Sequence, residues 1–590
     1  MTQYTTLKEQ HSKQLAALKK QYNLISTIRL FVAVAFLYSC YQQIKSGDDF
    51  FKIILATSAI LFLYLVRKHQ VISNKIEVEK ALLEINENEI SFLEGTAISF
   101  ENGMEYNNSN HEYSYDLDIF GNKSLFQNLN RTATYIGKTT LTKLLLTILP
   151  NDEIIANQNA IKELNGKLSW RQKIYAFAKI TKDSKSSYDN LIAWSKSKSE
   201  EVSTLIKVAA FLLPVLLIGS LSVFTATHET KFWSLFVLFF ITNMALLASQ
   251  LRKIKVEIVK SDKMHSIIKQ YGLILLHIEN ENFESEKLKQ LKSKLLYEGV
   301  SASARIQELS SLFNQMDSMQ NLFGGVLFNG FILYHIHVLN ALHKWKNNNA
   351  TFVVEWLDVI GELEAMNSLA NFSYNNPSFS FPQLNTNSVV SLTNVGHPLI
   401  NTKKRIDNSI EFKDERFVIL TGSNMSGKST FLRTLGINMV LAGVGSPICA
   451  SAANIHPMQV LVSMRLSDSL TDSESYFFAE VKRLKEIMDT LERKKCFVLL
   501  DEILRGTNSD DKRNGTIEVI KKMIAKNAIG AIATHDLEVC LTTNQYPNIL
   551  ANKCFEVEIV NNDLVFDYKL RDGICQNKSA SFLMKKMGVI

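Results

Sequence analysis

The sequence predicts a mixed protein: transmembrane helical hairpins, an all-α core or lever region, and a C-terminal α/β domain built around a phosphate-binding loop. Three observations predict it. Apolar runs with little or no charge fall in two close pairs, at 30–66 and 208–251. Stretches of mixed charge with helical spacing surround them, as at 74–93 and 281–296. Towards the C-terminus, three short apolar runs of strand character end at Gly422, at Asp501-Glu502 and at His535, residue types that handle phosphate or metal. The chain has 590 residues and is 46% hydrophobic with a mean hydropathy of zero, and the apolar excess is concentrated in the paired runs.

Residues 1–26 form a polar, Lys-rich N-terminal segment, and 27–66 the first hairpin, with spans at Leu30–Ile44 and Phe50–Val66, the latter interrupted by Lys52. The first segment is not read as a cleaved signal peptide, because no small-residue cleavage site follows it. A charged helical linker occupies 67–100. The second hairpin, 204–251, carries Val208–Ala226 and Phe232–Leu251, each about 20 uncharged residues and able to cross about 30 Å of hydrocarbon. Pro214 inside it is better tolerated in a membrane helix than in a soluble one. The alternative for both pairs is buried helices of a large soluble core. Arg29, Arg67, Lys68, Lys207, Arg252 and Lys253 flank the spans on one side. By the positive-inside rule both hairpins point outward, and the N-terminus, 67–203 and 252–590 lie in the cytoplasm of a cell whose cytoplasmic membrane holds four helices.

Residues 101–203 and 252–380 are read as two parts of one helical core. Within the second, Phe323–Leu342 is apolar, but Asn329, His335, His337 and Asn340 favour a buried core helix over a fifth span. Six cysteines without a C-x-x-C pair indicate neither a zinc site nor a disulfide frame. A formal net charge of +7 suits DNA or an anionic membrane face equally.

The last domain, 381–590, carries the chemistry. Gly422-Ser423-Asn424-Met425-Ser426-Gly427-Lys428-Ser429 fits G-x-x-x-x-G-K-[S/T], follows the strand-like Phe417–Leu420 and precedes a helical pattern from Phe431. Its glycines let successive N–H groups turn inward around phosphate oxygens, Lys428 would reach the β and γ phosphates, and Ser429 would ligate Mg²⁺. Cys496–Leu500 is a buried-strand pattern delivering Asp501 to the Mg²⁺ shell and Glu502 to orient or deprotonate the attacking water. Ile529–Thr534 would deliver His535 as a γ-phosphate sensor. The cofactors implied are ATP and Mg²⁺. Gly137-Lys138-Thr139 is a decoy, since Thr132 stands where that loop would need its first glycine.

Thr421–Thr430 (TGSNMSGKST), Asp501–Thr507 (DEILRGT) and Ala533–Asp536 (ATHD) resemble the ATPase domain of MutS-type mismatch-repair proteins, relatives of the ABC ATPases; the Asn-Met and Arg-Gly-Thr elements separate that family from transporters. Asp468–Glu480 resembles the family segment that reaches the partner's nucleotide across a dimer, with Ser475 on its serine and Glu480 on its acidic residue. Ser473, Ser423 and Ser426 depart from the family's usual glycine, proline and glycine. Asp116–Phe126, Thr139–Leu145 and Trp356–Ala370, with Gly396-His397-Pro398, resemble the family's helical core and its entry into the ATPase. Tyr568–Gly573 and Ala580–Met584 resemble its ending, expected as helices near the dimer interface. The resemblance implies an ABC-type ATPase, a homodimer with Ser475 acting in trans, and DNA as a partner. The family's mismatch reader has no counterpart in 1–100, so mismatch discrimination by this chain is not expected. The second hairpin falls where the family places its lever arms and DNA clamp. The other class compatible with the sequence is an ATP-gated membrane machine using the same motor without nucleic acid.

Overall fold

The computed structural model describes residues 1–198, 202–261, 264–318, 324–414, 416–465, 476–560 and 563–575. Four described helices are long and apolar enough to cross a membrane. The first two, Thr2–Ser46 and Asp49–Glu94, are unbroken and antiparallel, so the polar segment, the first pair of apolar runs and the charged linker belong to just two rods. Gly47 closes the first at φ 68°, and the Asp48 carboxylate caps the second by accepting from the Phe50 N–H. Leu15, Leu18, Tyr22 and Ile25 meet Leu65, Ile72, Ile76 and Leu83 in a seam, and the three- and four-residue steps of the first set are those of a coiled coil.

This hairpin is fixed by its base. The Glu89 carboxylate pairs with the buried Arg131 guanidinium and accepts from the side-chain amides of Asn371 (2.9 Å) and Asn375 (3.1 Å). Tyr4, from the other rod, donates to Asn375 at 2.9 Å. Asn371 also accepts from Arg171 at 2.9 Å, so the charges taken out of water are hydrogen-bonded from several directions. Asn371 and Asn375 end the helix Val353–Asn375, which is buried along most of its length and leads into the C-terminal domain.

The second hairpin, Thr204–Thr227 and Thr230–Ser261, is held along its side. Trp194 donates its indole N–H to Glu257 at 2.8 Å, and Asn243 donates to the Gly330 carbonyl at 2.8 Å. The apolar region expected as one core helix from 323 to 342 is instead broken. A wide helical turn, Gly324–Phe328, and a short helix, Asn329–Ile332, stop at Leu333 (φ 49°), where Tyr334–Asn349 begins at a bend of 83°. Val326, Leu327 and Phe328 are exposed, contrary to a buried helix.

The C-terminal domain has a six-stranded sheet ordered 563–572, 550–560, 417–422, 529–533, 496–501, 459–463. All neighbours are parallel except the antiparallel edge strand Asp563–Asp572. Ala533 lies opposite both Leu420 and Asp501, so three strands end together at one sheet edge, the place where open parallel sheets bind ligands. The expected helix at Tyr568–Gly573 is a correction: Tyr568–Asp572 belongs to the edge strand, paired with 550–560, and Ala580–Met584 lies outside the described residues. A four-stranded sheet of Gln383–Leu384, Ala452–Ile455, Val390–Val395 and Asn408–Phe412 covers the entry to the domain.

Candidate nucleotide site

The strand Phe417–Gly422 is wholly buried, and the helix Lys428–Gly443 begins as soon as the loop closes. Gly427, at φ 106°, is in a region side chains avoid, while a Cβ on Gly422 would meet Ser426 Oγ at 2.6 Å and the Phe555 carbonyl at 2.8 Å. Met425 takes φ 67° without being glycine, which places a strained, exposed side chain at the tip of the loop. Ser423, Asn424 and Ser426 fill the free positions of the loop, Ser426 buried and Asn424 exposed, and Thr430 lies exposed in the first turn of the helix.

Lys428 is buried and donates to the carbonyls of Gly422 (2.9 Å) and Ser423 (3.0 Å), with its Nζ 3.3 Å from His535 Nε2. Burial pushes its pKa down, opposed by the nearby Glu502 and Asp501 charges. Ser429 Oγ donates to Asp501 Oδ2 at 2.6 Å. The other oxygen, Asp501 Oδ1, is buried and has no hydrogen-bond partner among the described residues. A hydroxyl and an ionisable carboxylate side by side, with one oxygen unsatisfied, fit a hard divalent cation that takes few protein oxygens and completes its shell with phosphate and water.

Glu502 follows the strand at φ 49° with its N–H on the Ala533 carbonyl, and its Oε1 lies 2.6 Å from His535 Nε2. The His535 hydrogen bond, aided by the charges of His535, Arg505 and Lys428, holds the carboxyl down at about 2. So acidic a group remains ionised at neutral pH and is a weak proton acceptor, which favours orienting water over deprotonating it. Lys428, Ser429, Asp501, Glu502 and His535, from three separate strand ends, are thus brought together. Ser475 lies outside the described residues.

The structure adds a contact of Glu480 within its own chain, and a cavity, to what the sequence indicates. Glu480, on the helix Tyr476–Leu491, accepts from the backbone N–H groups of Leu504 (2.8 Å) and Arg505 (3.0 Å) of its own chain. Arg505 in turn donates to the carbonyls of Glu502 (2.9 Å) and Asp501 (3.1 Å), so Glu480 positions the loop after the acidic pair. Leu504 at φ 60° marks the strain that the loop carries. The second feature is a cavity of about 380 Å³ beside the phosphate loop, lined by His397, Ile406, Asn408, Phe555 and Tyr568 among others. Burial holds the His397 imidazole down at about 4, with Arg433 adding to the effect, so it offers a neutral flat face. Asn408 exchanges hydrogen bonds with the backbone of Tyr568 and Leu570, which ties the edge strand to the strand Asn408–Phe412 of the four-stranded sheet. Only the Gly396-His397-Pro398 string pointed in this direction.

A strand, a glycine loop on a helix start, a Ser–Asp pair and a carboxylate–histidine pair at one sheet edge define a P-loop nucleotide-binding domain. Residues 418–588 match the family MutS domain V, so the C-terminal domain is an ABC-type ATPase domain, preceded by a mostly helical region with long apolar helices. Similar proteins include the DNA mismatch repair protein MutS of Thermotoga neapolitana, 26% identical over 305 residues, covering 50% of this chain and 34% of that protein. MutS protein homolog 4 of Homo sapiens is 30% identical over 194 residues, 31% of this chain and 20% of that one. The MutS of Methanococcoides burtonii is 28% identical over 240 residues, covering 39% and 27%. The chain therefore spans about a third or less of the length of these relatives.

Proposed function

We propose that this protein is a membrane-anchored MutS-type ATPase that binds ATP with Mg²⁺, hydrolyses it at the interface of a homodimer, and engages DNA. The observation that carries the ATPase part is the convergence of Ser429, Asp501, Glu502 and His535 around the Lys428 loop. Ser429 and Asp501 would hold Mg²⁺, which would supply neutralisation of the phosphate charge. Residues 422–430 cradle the phosphates, Lys428 compensates their charge, Glu502 orients the attacking water, and His535 links that carboxylate to the γ-phosphate position. The cavity beside the loop suits the base of the nucleotide, with His397 and Tyr568 as flat faces. Ser475 of a second copy would complete the site in trans, as the segment's resemblance to the family implies.

Anchoring rests on four helices of suitable length and composition, whose long apolar side chains are largely exposed. The basic flanks put the ATPase domain on the cytoplasmic side of the cytoplasmic membrane, where ATP is. DNA enters through the names of the relatives. A second reading, an ATP-gated membrane machine without nucleic acid, is favoured by one observation: an apolar hairpin at 204–261 interrupts the helical core. Binding of the detergent-purified chain to homoduplex, mismatched and branched DNA, with ATP and across a salt series, separates the two. Tight binding that weakens steeply with salt supports the DNA reading. Absence of structure-selective binding, with turnover stimulated by lipid alone, overturns it in favour of the second.

A further inference from the structure

The broken apolar segment at 324–333 lies beside the second hairpin near its mid-length. Phe331 packs against Phe236 (6.1 Å) and Phe240 (6.0 Å), and Gly330 sits so close to the Phe240 ring that no side chain would fit there. Phe240 is about ten residues along its helix from Thr230, or about 15 Å at 1.5 Å per residue, near the middle of a hydrocarbon layer of about 30 Å. On its C-terminal side the segment returns to the helical core through Tyr334–Asn349, and the core helix Ala302–Asp317 precedes it in the chain. Its outer surface is Val326, Leu327, Phe328 and Ile332, continuous with the apolar exposure of the hairpin, where Phe211, Val215 and Ile241 are likewise exposed.

The polar residues of the region have a common task. Helix breaks free backbone groups, and hydrocarbon offers no water to satisfy them. At the Leu333 break, Asn329 Oδ1 accepts from the His335 N–H at 2.9 Å and Asn329 Nδ2 donates to the Gly325 carbonyl at 2.6 Å. Asn243 donates to the Gly330 carbonyl at 2.8 Å. In the hairpin itself, Pro214 has no N–H for the carbonyl four residues back, which is that of Ala210. His337 Nε2 lies 3.1 Å from that carbonyl and donates to it. Three side chains, Asn329, Asn243 and His337, thus close four backbone groups at a helix break and a proline. A soluble protein would have water for the exposed part of this work.

From this we infer that residues 325–332 form a re-entrant membrane element, which enters the bilayer from the cytoplasmic side beside the second hairpin, turns near mid-depth and presents Val326, Leu327, Phe328 and Ile332 to lipid hydrocarbon. The inference rests on the membrane reading of the second hairpin. It gives the ATPase a direct mechanical route to the bilayer, because Tyr334–Asn349 continues through Ala350–Phe352 into Val353–Asn375 and from there into the nucleotide domain.

The test uses the full chain with Cys40→Ser, the other five cysteines being buried. Phe328→Cys, Phe211→Cys and Met104→Cys, all at exposed positions, are made singly and reconstituted in phosphatidylcholine–phosphatidylglycerol vesicles. Each is probed with a membrane-impermeant maleimide and, after bimane labelling, with lipids carrying a nitroxide on the acyl chain. The expected result is at least tenfold slower maleimide labelling at 328 and 211 than at 104, with bimane quenching at 328 and 211 only. Labelling at 328 as fast as at 104, with 211 still shielded and quenched, overturns the re-entrant element and leaves the hairpin standing. Fast labelling at both 328 and 211 overturns the membrane reading and this inference with it.

Discussion

The two apolar hairpins are attached to the same core in opposite ways. The first is a coiled coil whose apolar seam faces its own partner rod, and among the described residues it meets the core towards its base, where Tyr4, Asn86 and Glu89 join Arg131, Arg171, Gln172, Asn371 and Asn375 and where Leu82 and Ile85 pack with Ala176. The second has no such seam to itself. It is held along its side by Asn243–Gly330, His337–Ala210 and Trp194–Glu257, and by the aromatic stack of Phe236, Phe240 and Phe331. A rod fixed at one end behaves as a stalk, whereas one packed along its length must repack when the core moves. Both attachments converge on the line of helices ending in Val353–Asn375, so a nucleotide-driven shift of that helix should tilt the first hairpin and repack the second.

The largest expected effect tests the source of that shift. Lys428→Ala removes the charge compensating the phosphates and should lower ATP hydrolysis by about 10²-fold or more, read as phosphate release. Hydrogen exchange with and without ATP should then lose every nucleotide-dependent change at 202–215 and 334–349. If the wild-type response is instead confined to the base of the first hairpin, the assignment of the second as the moving element is wrong.

Next in size is the base of the stalk. Arg131→Ala leaves the Glu89 carboxylate buried without its cation, a loss of about 3–5 kcal/mol for such pairs. Faster hydrogen exchange over 2–22 and 76–94, with the second hairpin unchanged, is the expected reading. A uniform loss of protection throughout the core would show that the two attachments are not independent.

Glu364 lies on the shared helix, fully buried and accepting from the Ala133 and Thr134 backbone, with its pKa raised to about 7 by burial. The folded protein therefore holds a proton there that the unfolded chain releases near 4.5. The sign follows from linkage: this group's contribution is fully present below about 4.5 and is lost as pH rises to about 7. Glu364→Gln should be close to neutral at pH 5 and stabilising by ~1–3 kcal/mol at pH 8, measured by thermal unfolding at both values. A variant equally destabilised at both pH values would contradict it.

The smallest effect isolates one hydrogen bond of the second hairpin. His337→Ala leaves the Ala210 carbonyl without its donor, at about 1–2 kcal/mol. Adding Pro214→Ala restores a helical N–H to that carbonyl, so the double variant should recover much of the loss. Equal instability of single and double variants would mean that His337 acts by packing alone.

How much of this was legible depended on how local the constraint is. The phosphate loop, Asp501-Glu502 and His535 could be read because each is a short string at the end of a strand, and the order of parallel strands then brings them to one edge. Glu480 was read through its resemblance to a segment that acts across a dimer, whereas its contacts here are with its own Leu504 and Arg505. Tyr568 was expected on a helix because its neighbourhood resembles a helical ending; pairing with the 550–560 strand overrode that. Asn329 and His335 are buried, and Tyr334–Asn349 is the core helix that the polar residues of this run pointed to. The break at Leu333 and the partner of His337, as far away as Ala210, were not legible in the run itself.

The sequence by itself determined the phosphate-loop motif and the position of the long apolar helices, because a phosphate cradle is set by consecutive residues and a long apolar helix by its length and lack of charge. Tertiary structure alone decided where the helix at 324–349 breaks, which carbonyl His337 satisfies, how Tyr568 and His397 shape the cavity, and that one hairpin is held by its end and the other by its side. Those are questions of which distant group completes a hydrogen bond or fills a space, and a pattern within one segment carries no information about its partner.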